Sequence, residues 1–406
     1  MRLVSLFGVC TSLAFVVGAA HTALAQQPQP DPETRQTVIV NAVDDKAKSL
    51  HPYEVTFTEK VFAQIEKRFN NGLVTWHPFL ENAYRGGGFA AGAGYMFHTG
   101  AYSSLDVRGS YSIRSYKLAE AEFINPRLFD RRGELTVLGG WRDATEVGFY
   151  GVGMNTSSGD RVNFGFEQPF GSALLTIRPT RRLFLVRGGF EASRWDLKSG
   201  KGTVPSVDEV YTPASLPGVG ATTTYLHTQA TVGFDSRPAS GYARRGGFYG
   251  VTGHDYSDRD DALGFQRVDY EAIQHIPILR ETWVISLHGL AKTTWPKGDQ
   301  EIPFYMLPSV GGGDDLRGFA THRFTDRHSL LLQAEWRIMA NRFFDSAVFY
   351  DTGKVAARAS DLDLNHLKSD YGFGVRFHAP MQTVFRVEVA RSTEGTRLVF
   401  AASPVF

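Results

Sequence analysis

Leu330-Leu331-Leu332-Gln333-Ala334-Glu335-Trp336-Arg337-Ile338 alternates between two kinds of residue. Leu330, Leu332, Ala334, Trp336 and Ile338 share one face, and Gln333, Glu335 and Arg337 share the other. Successive side chains of an extended strand point to opposite sides, so this stretch is a strand with one oily face and one charged face. Two later stretches repeat the pattern. Tyr371, Phe373, Val375 and Phe377 oppose Gly372, Gly374 and Arg376, while Phe385, Val387 and Val389 oppose Arg386 and Glu388. In a soluble antiparallel sheet the apolar face turns onto a second layer. Strands of about ten residues or more, with full charges on the polar face of one after another, instead predict an all-β transmembrane antiparallel barrel, apolar toward lipid and hydrated within.

The rest of the chain divides around that reading. The 406 residues carry a formal net charge of +1, include 42 glycines and are 13% aromatic, which favours one large closed β-structure. No basic or acidic block offers a surface to nucleic acid. Arg2, the apolar stretch from Leu3 to Ala20 and the small residues Ala23 and Ala25 predict a cleaved signal peptide over residues 1–25, and hence export through the inner membrane to the bacterial outer membrane. The one cysteine, Cys10, lies inside that signal, so the mature chain is expected to hold neither disulfide nor cysteine-ligated metal. No later run reaches the roughly 18 apolar residues of a spanning helix. Residues 26–57 read as a disordered or periplasmic linker, rich in Gln and Pro at its start. Val61, Phe62, Ile65 and Phe69, behind a Thr58 cap, predict a short amphipathic helix over 58–72, with the barrel occupying 73–406.

Counting backward from the C-terminus, strands are predicted at 396–406, 382–392, 370–379, 343–353, 328–340, 282–295, 263–276, 245–256, 222–236, 182–196, 161–178, 133–145, 114–125 and 102–113. A further hairpin from 86–97 and 74–79 brings the total to about sixteen, with connections that alternate short and long as outer-membrane barrels require. Phe406 is expected on the outward face as a girdle residue, after a Pro404 that cannot donate to the ladder. Trp141, Trp195, Trp283, Trp295 and Trp336, near strand ends, fit interfacial belts.

Upstream of the opening stretch, the long 296–327 connection contains Gly311-Gly312-Gly313-Asp314-Asp315-Leu316-Arg317-Gly318-Phe319. Downstream lies Phe349-Tyr350-Asp351-Thr352-Gly353, and the short turn after the 222–236 strand reads Asp235-Ser236-Arg237-Pro238-Ala239-Ser240-Gly241. With Ala334-Glu335-Trp336-Arg337 between them, these four strings resemble, in order, the BamA/TamA-like outer-membrane assembly family, also called the bacterial surface antigen family. The resemblance covers most of the chain from about residue 86. It implies a sixteen-stranded barrel whose long sixth outer loop folds back inside, where the motif arginine, here Arg317, meets acidic residues of the lumen wall. The alternation independently places Glu335 and Asp351 on polar faces of adjacent strands, and these are the expected partners.

The resemblance also implies a role in inserting or translocating protein, or lipid, at the outer membrane. The partners would be the lipid bilayer, unfolded outer-membrane or secreted polypeptides, and an unidentified periplasmic component. Residues 26–85 are short for the periplasmic POTRA modules of that family, so a barrel-only member is expected. A passive channel or structural barrel is the alternative. Catalytic signatures are not found: the sequence has no Gly-x-Ser-x-Gly elbow, no His-Glu-x-x-His helix and no phosphate loop, so neither enzyme activity nor a cofactor is expected. His254, His275, His288 and His378 read as lumen or interface residues.

Overall fold

The computed structural model describes residues 32–49, 75–180, 183–341, 343–378, 383–402 and 405–406. The expected signal peptide over 1–25, the expected amphipathic helix over 58–72 and Pro404 lie outside the described residues. Two units are distinguished, Met1–Ile65 and Glu66–Phe406. In the first, a helix α1 spans Pro32–Ser49, within the 26–57 stretch expected to be a disordered or periplasmic linker. The physical reason is local. Pro32 takes the first helical position, where a missing N–H costs nothing, and Lys46 and Lys48 complement the dipole in the last turn.

The second unit is built of strands: β1 (Trp76–Phe79), β2 (Ala90–His98), β3 (Ser104–Ser112), β4 (Lys117–Leu128), β5 (Gly133–Phe149), β6 (Val162–Ile177), β7 (Phe184–Ser199), β8 (Thr222–Asp235), β9 (Gly246–Asp258), β10 (Phe265–Leu279), β11 (Trp283–Pro296), β12 (Ser309–Val310), β13 (Phe324–Thr325), β14 (His328–Met339), β15 (Phe344–Ala356), β16 (Lys368–His378), β17 (Thr383–Ser392) and β18 (Gly395–Ala401). All but β12 and β13 form one 16-stranded sheet in sequence order, each strand antiparallel to its neighbours, and β12 pairs with β13 as a separate ribbon within the 297–327 loop.

Burial is inverted relative to a water-soluble protein. On β14, Leu331, Gln333, Glu335 and Arg337 are buried while Trp336 is exposed. On β16 and β17, Tyr371, Phe373, Phe385 and Val389 are exposed while Asp370, Arg376, Arg386 and Glu388 are buried. An apolar outer face with charges inside is stable only where the outside is hydrocarbon, and a sheet can span hydrocarbon only when its backbone groups bond one another. The sheet curls around an interior, because the β8–β9 turn meets strands far from it in the pairing order. Thr383 N–H donates to the Gly241 carbonyl (3.0 Å), and the Tyr242 hydroxyl donates to Asp345 (2.8 Å).

Two expectations about outward aromatics are corrected. Trp195 is buried, stacking on Tyr305 at 5.3 Å and tilted against Phe166 at 4.6 Å. It stands on the inner face of β7 with Glu191 and Ser193, as alternation from those residues requires, and the 297–307 part of the long loop brings Phe304 and Tyr305 into an aromatic cluster against it. Trp283, Trp295 and Trp336 are outward. Phe406 does not sit on the outer face either: β18 ends at Ala401, and the ring lies near His288 (5.0 Å), His275 (6.1 Å) and the Arg337 guanidinium (5.4 Å). Once the chain leaves the ladder, alternation no longer dictates direction, and a phenyl ring gains more from a cation and stacked imidazoles.

Candidate functional site

The site is the docked 297–327 loop, and it begins with backbone geometry. Gly311 and Gly312 have φ of +121° and +113°, a region that L side chains rarely adopt. This double reversal lets Gly312 N–H donate to the Leu316 carbonyl (3.1 Å), and Phe319 N–H donate to the same carbonyl (3.0 Å). The turn sends neighbouring side chains in opposite directions. Leu316 and Phe319 bury with Val310, Phe324, Leu331 and Val355 in one apolar cluster, and Arg317 is driven the other way.

Arg317 has no exposed surface. Its Nε and Nη2 reach both oxygens of Asp351 at 2.6 and 2.7 Å, its Nη1 reaches Glu335 at 2.7 Å and Glu388 at 3.1 Å, and the guanidinium lies 3.4 Å from the centre of the Phe349 ring. Phe349 and Asp351 are two residues apart on β15 and therefore share its inner face, one as a platform and the other as a two-pronged acceptor. Both carboxylates named from the alternation, Glu335 and Asp351, touch the arginine. Glu388 was on a recognised polar face but was not named as a partner.

Sequence reading also passed over the cations that complete the nest. Arg376 donates to Glu335 (2.9 Å) and Glu388 (3.1 Å), Arg337 donates to Glu335 (3.0 Å), and Arg386 bonds Glu388, Asp314 and the Gly313 carbonyl. The signal was available, since Arg337, Arg376 and Arg386 lie on the same alternating faces as the acids. Each ion here costs several kcal/mol to desolvate, so no pair of them would be stable alone. Burial by itself would push the Arg317 guanidinium down, but Asp351, Glu335 and Glu388 more than offset that and hold its pKa well above the usual arginine value.

Gly318 sets how close the loop can come. A Cβ there would lie 2.6 Å from the Asp370 Cβ and 2.9 Å from the Ser392 Cβ, and the Gly318 carbonyl accepts from the Ser392 hydroxyl at 2.8 Å. Further along the loop, the buried Arg323 donates to Glu394 (2.8 Å) and to the Thr156 carbonyl (2.6 Å), tying three connections together, and no pattern in the sequence marks it. Burial pushes the His322 imidazole down to about 3, with the Arg85 charge adding to the shift. It hydrogen-bonds Ser309 (2.8 Å) and stacks on Tyr84 as a neutral ring.

At the opposite end of the strands, Asp235 accepts from the Arg237 backbone N–H (3.1 Å) and Nε (3.0 Å), closing the turn that Pro238 and Gly241 continue. The turn then does more than connect. Tyr242 stacks on His378 at 3.9 Å, and the Ala243 carbonyl accepts from Arg337 at 3.3 Å. Arg337 thereby links the turn to Glu335 in the nest. The whole arrangement is an ion-pair lattice with an aromatic platform, suited to clamping a loop. Among the described residues, no group of three or more His, Cys, Asp or Glu is placed to hold a metal ion.

Comparison with known proteins agrees with this architecture. No curated protein sequence matches the chain. Among solved structures, BamA from Haemophilus ducreyi lacking POTRA domains 1-3 is similar with a TM-score of 0.57 and 16% identity, over 80% of this chain and 69% of that one. CdiB from Acinetobacter baumannii aligns at TM-score 0.46 and 10% identity, over 78% of this chain and 54% of that one. The Omp85 superfamily domain matches residues 98–396, a span that holds β3 through β17, the inward loop and every member of the Arg317 nest, and the chain therefore belongs to the Omp85 superfamily of outer-membrane β-barrels.

Proposed function

We propose that this protein helps polypeptide insert into, or cross, the outer membrane, with lipid as the alternative cargo. The observation that carries the proposal is the placement of the nest beside the weakest part of the sheet. Arg317 is gripped by β14, β15 and β17, next to β18. β1 has 4 residues and β18 has 7, the shortest strands of the sixteen, and they stand at the two ends of the pairing order. An edge with few ladder bonds is where an incoming strand can pair at least cost, and in lipid an unpaired edge strongly favours such pairing. A rigid wall beside a yielding edge is what templated insertion needs. On this reading the signal over residues 1–25 exports the chain, the bilayer is its first partner, and a periplasmic component would approach the end that bears the 236–245 turn.

Depletion followed by quantitation of the outer-membrane proteome tests this. Loss of other barrels from the membrane supports insertion, and unchanged levels of barrels and secreted proteins sink it. Altered outer-leaflet lipid with an unchanged proteome would move the cargo to lipid. The passive-channel reading is opposed by an interior occupied at both ends, by the 297–327 loop and the 236–245 turn. A steady open conductance of the wild-type protein, with an intact proteome after depletion, would restore it.

A further inference from the structure

Away from the Arg317 nest, the interior holds a cavity of about 330 Å³ on the side of the long loop. Its walls are of two kinds. Phe149, Phe164, Trp195 and Tyr305 give it an aromatic side. Arg142 on β5, Gln168 on β6, Glu191 on β7 and Lys292 on β11 face the same space from the polar side. The lining also includes Arg85 and Arg267, but these cations are already engaged. Arg85 pairs with Asp315 at 2.8 Å and Arg267 with Asp269 at 3.2 Å.

Arg142 and Lys292 differ from them. Neither has a carboxylate within ion-pairing distance among the described residues, and Arg142 rests only on the Phe170 ring, 4.2 Å away. Arg142 Nε and Gln168 Oε1 have no hydrogen-bond partner among the described residues, although Gln168 is only 2% exposed. The two are direct cross-strand neighbours, so two side chains with unspent polar atoms stand side by side in the cavity wall. A buried polar group without a partner is costly, and a glutamine amide can be turned to present its N–H₂ instead of its oxygen. With Arg85 and Arg267 neutralised by their partners, two cations oppose the single carboxylate of Glu191. The lining is left with an excess of one positive charge.

We propose that this cavity binds a small amphipathic monoanion, a carboxylate on an aromatic or short aliphatic body. Arg142 and the Gln168 amide take the head, Lys292 supplies the second positive field, and the Phe149, Phe164, Trp195 and Tyr305 wall takes the body. A charge-assisted bond at a planar guanidinium suits a carboxylate, and the volume lies at the lower end of the range for small-molecule sites, about 300–1,000 Å³. A free inorganic anion would leave the aromatic wall unused, and a neutral amphiphile would leave the Arg142 charge unmatched.

The test is ligand-observed NMR and calorimetry on the full barrel in detergent micelles. Phenylpropionate is the probe, its neutral primary amide and acetate are the comparators, and empty micelles correct for partitioning. Saturable binding of phenylpropionate is expected, with at least tenfold weaker binding of both comparators. R142Q should weaken it about tenfold, the loss of one charge-assisted contact, and K292Q should weaken it severalfold by removing the second positive field. E191Q should strengthen it severalfold by removing the opposing charge, so the proposal stays open to refutation even if a cation variant fails to fold. Equal affinity for acid and amide overturns the site, as does full competition by equimolar acetate, indifference to all three substitutions, or no saturable binding.

Discussion

Replacing Arg317 with alanine removes the one cation that serves Asp351, and the structure says where the cost falls. Glu335 keeps Arg337 and Arg376, and Glu388 keeps Arg376 and Arg386. Asp351 keeps no arginine or lysine among the described residues, only the Gln333 amide at 3.3 Å, and it faces the buried Asp370 directly across the strand pair. Breaking a buried pair from one side costs about 3–5 kcal/mol, which shifts the ratio of docked to undocked loop by a factor of roughly a hundred to several thousand. R317A should therefore give a folded barrel with higher conductance in planar bilayers and faster amide exchange across 307–325. Because the penalty is concentrated on one carboxylate, adding D351N should recover most of the docking. A closed pore and wild-type exchange in R317A would refute the clamp. A double variant no better than the single would refute the claim that Asp351 carries the loss.

Two smaller perturbations probe other parts of the same assembly. G318A places a methyl 2.6 Å from the Asp370 Cβ and 2.9 Å from the Ser392 Cβ. Both are short stems fixed to strands, so overpacking of about 1–3 kcal/mol is expected, read as faster proteolysis within the loop and a lower melting temperature; wild-type values would show that the loop has slack. Y242F keeps the ring stack on His378 but leaves Asp345, 1% exposed, without its hydroxyl donor. A loss of about 1–3 kcal/mol is expected, seen as protease cleavage at 236–245 in proteoliposomes, while a resistant turn would mean that the stack alone holds it.

The sequence was most informative where geometry is local. Alternation on β14 sorts Gln333, Glu335 and Arg337 from Leu332, Ala334 and Trp336 without any tertiary knowledge, because a pleated strand has only two sides. Turn residues locate the strand ends for the same reason, and the described strands fall within a few residues of the expected ones until 401. At β18 the expectation of a strand through Phe406 overshoots: the last residues leave the ladder, and what directs them is the interior rather than their own pattern.

Length and alternation were therefore enough to determine a barrel with charges inside, and the resemblance carried by the glycine-led motif implied an arginine loop seeking acids. Which groups meet inside was decided only by the tertiary structure. Arg317 contacts Glu388 across 71 positions, and Tyr242 contacts Asp345 across 103. Such contacts depend on how far the sheet curls and how deep a loop descends. Phe406, off the ladder, turned inward for the same reason, whereas Trp195 found its loop partners on the inner face that β7 already assigned it. Side-chain direction is a property of the strand, but the value of pointing inward is set by partners supplied from elsewhere in the chain.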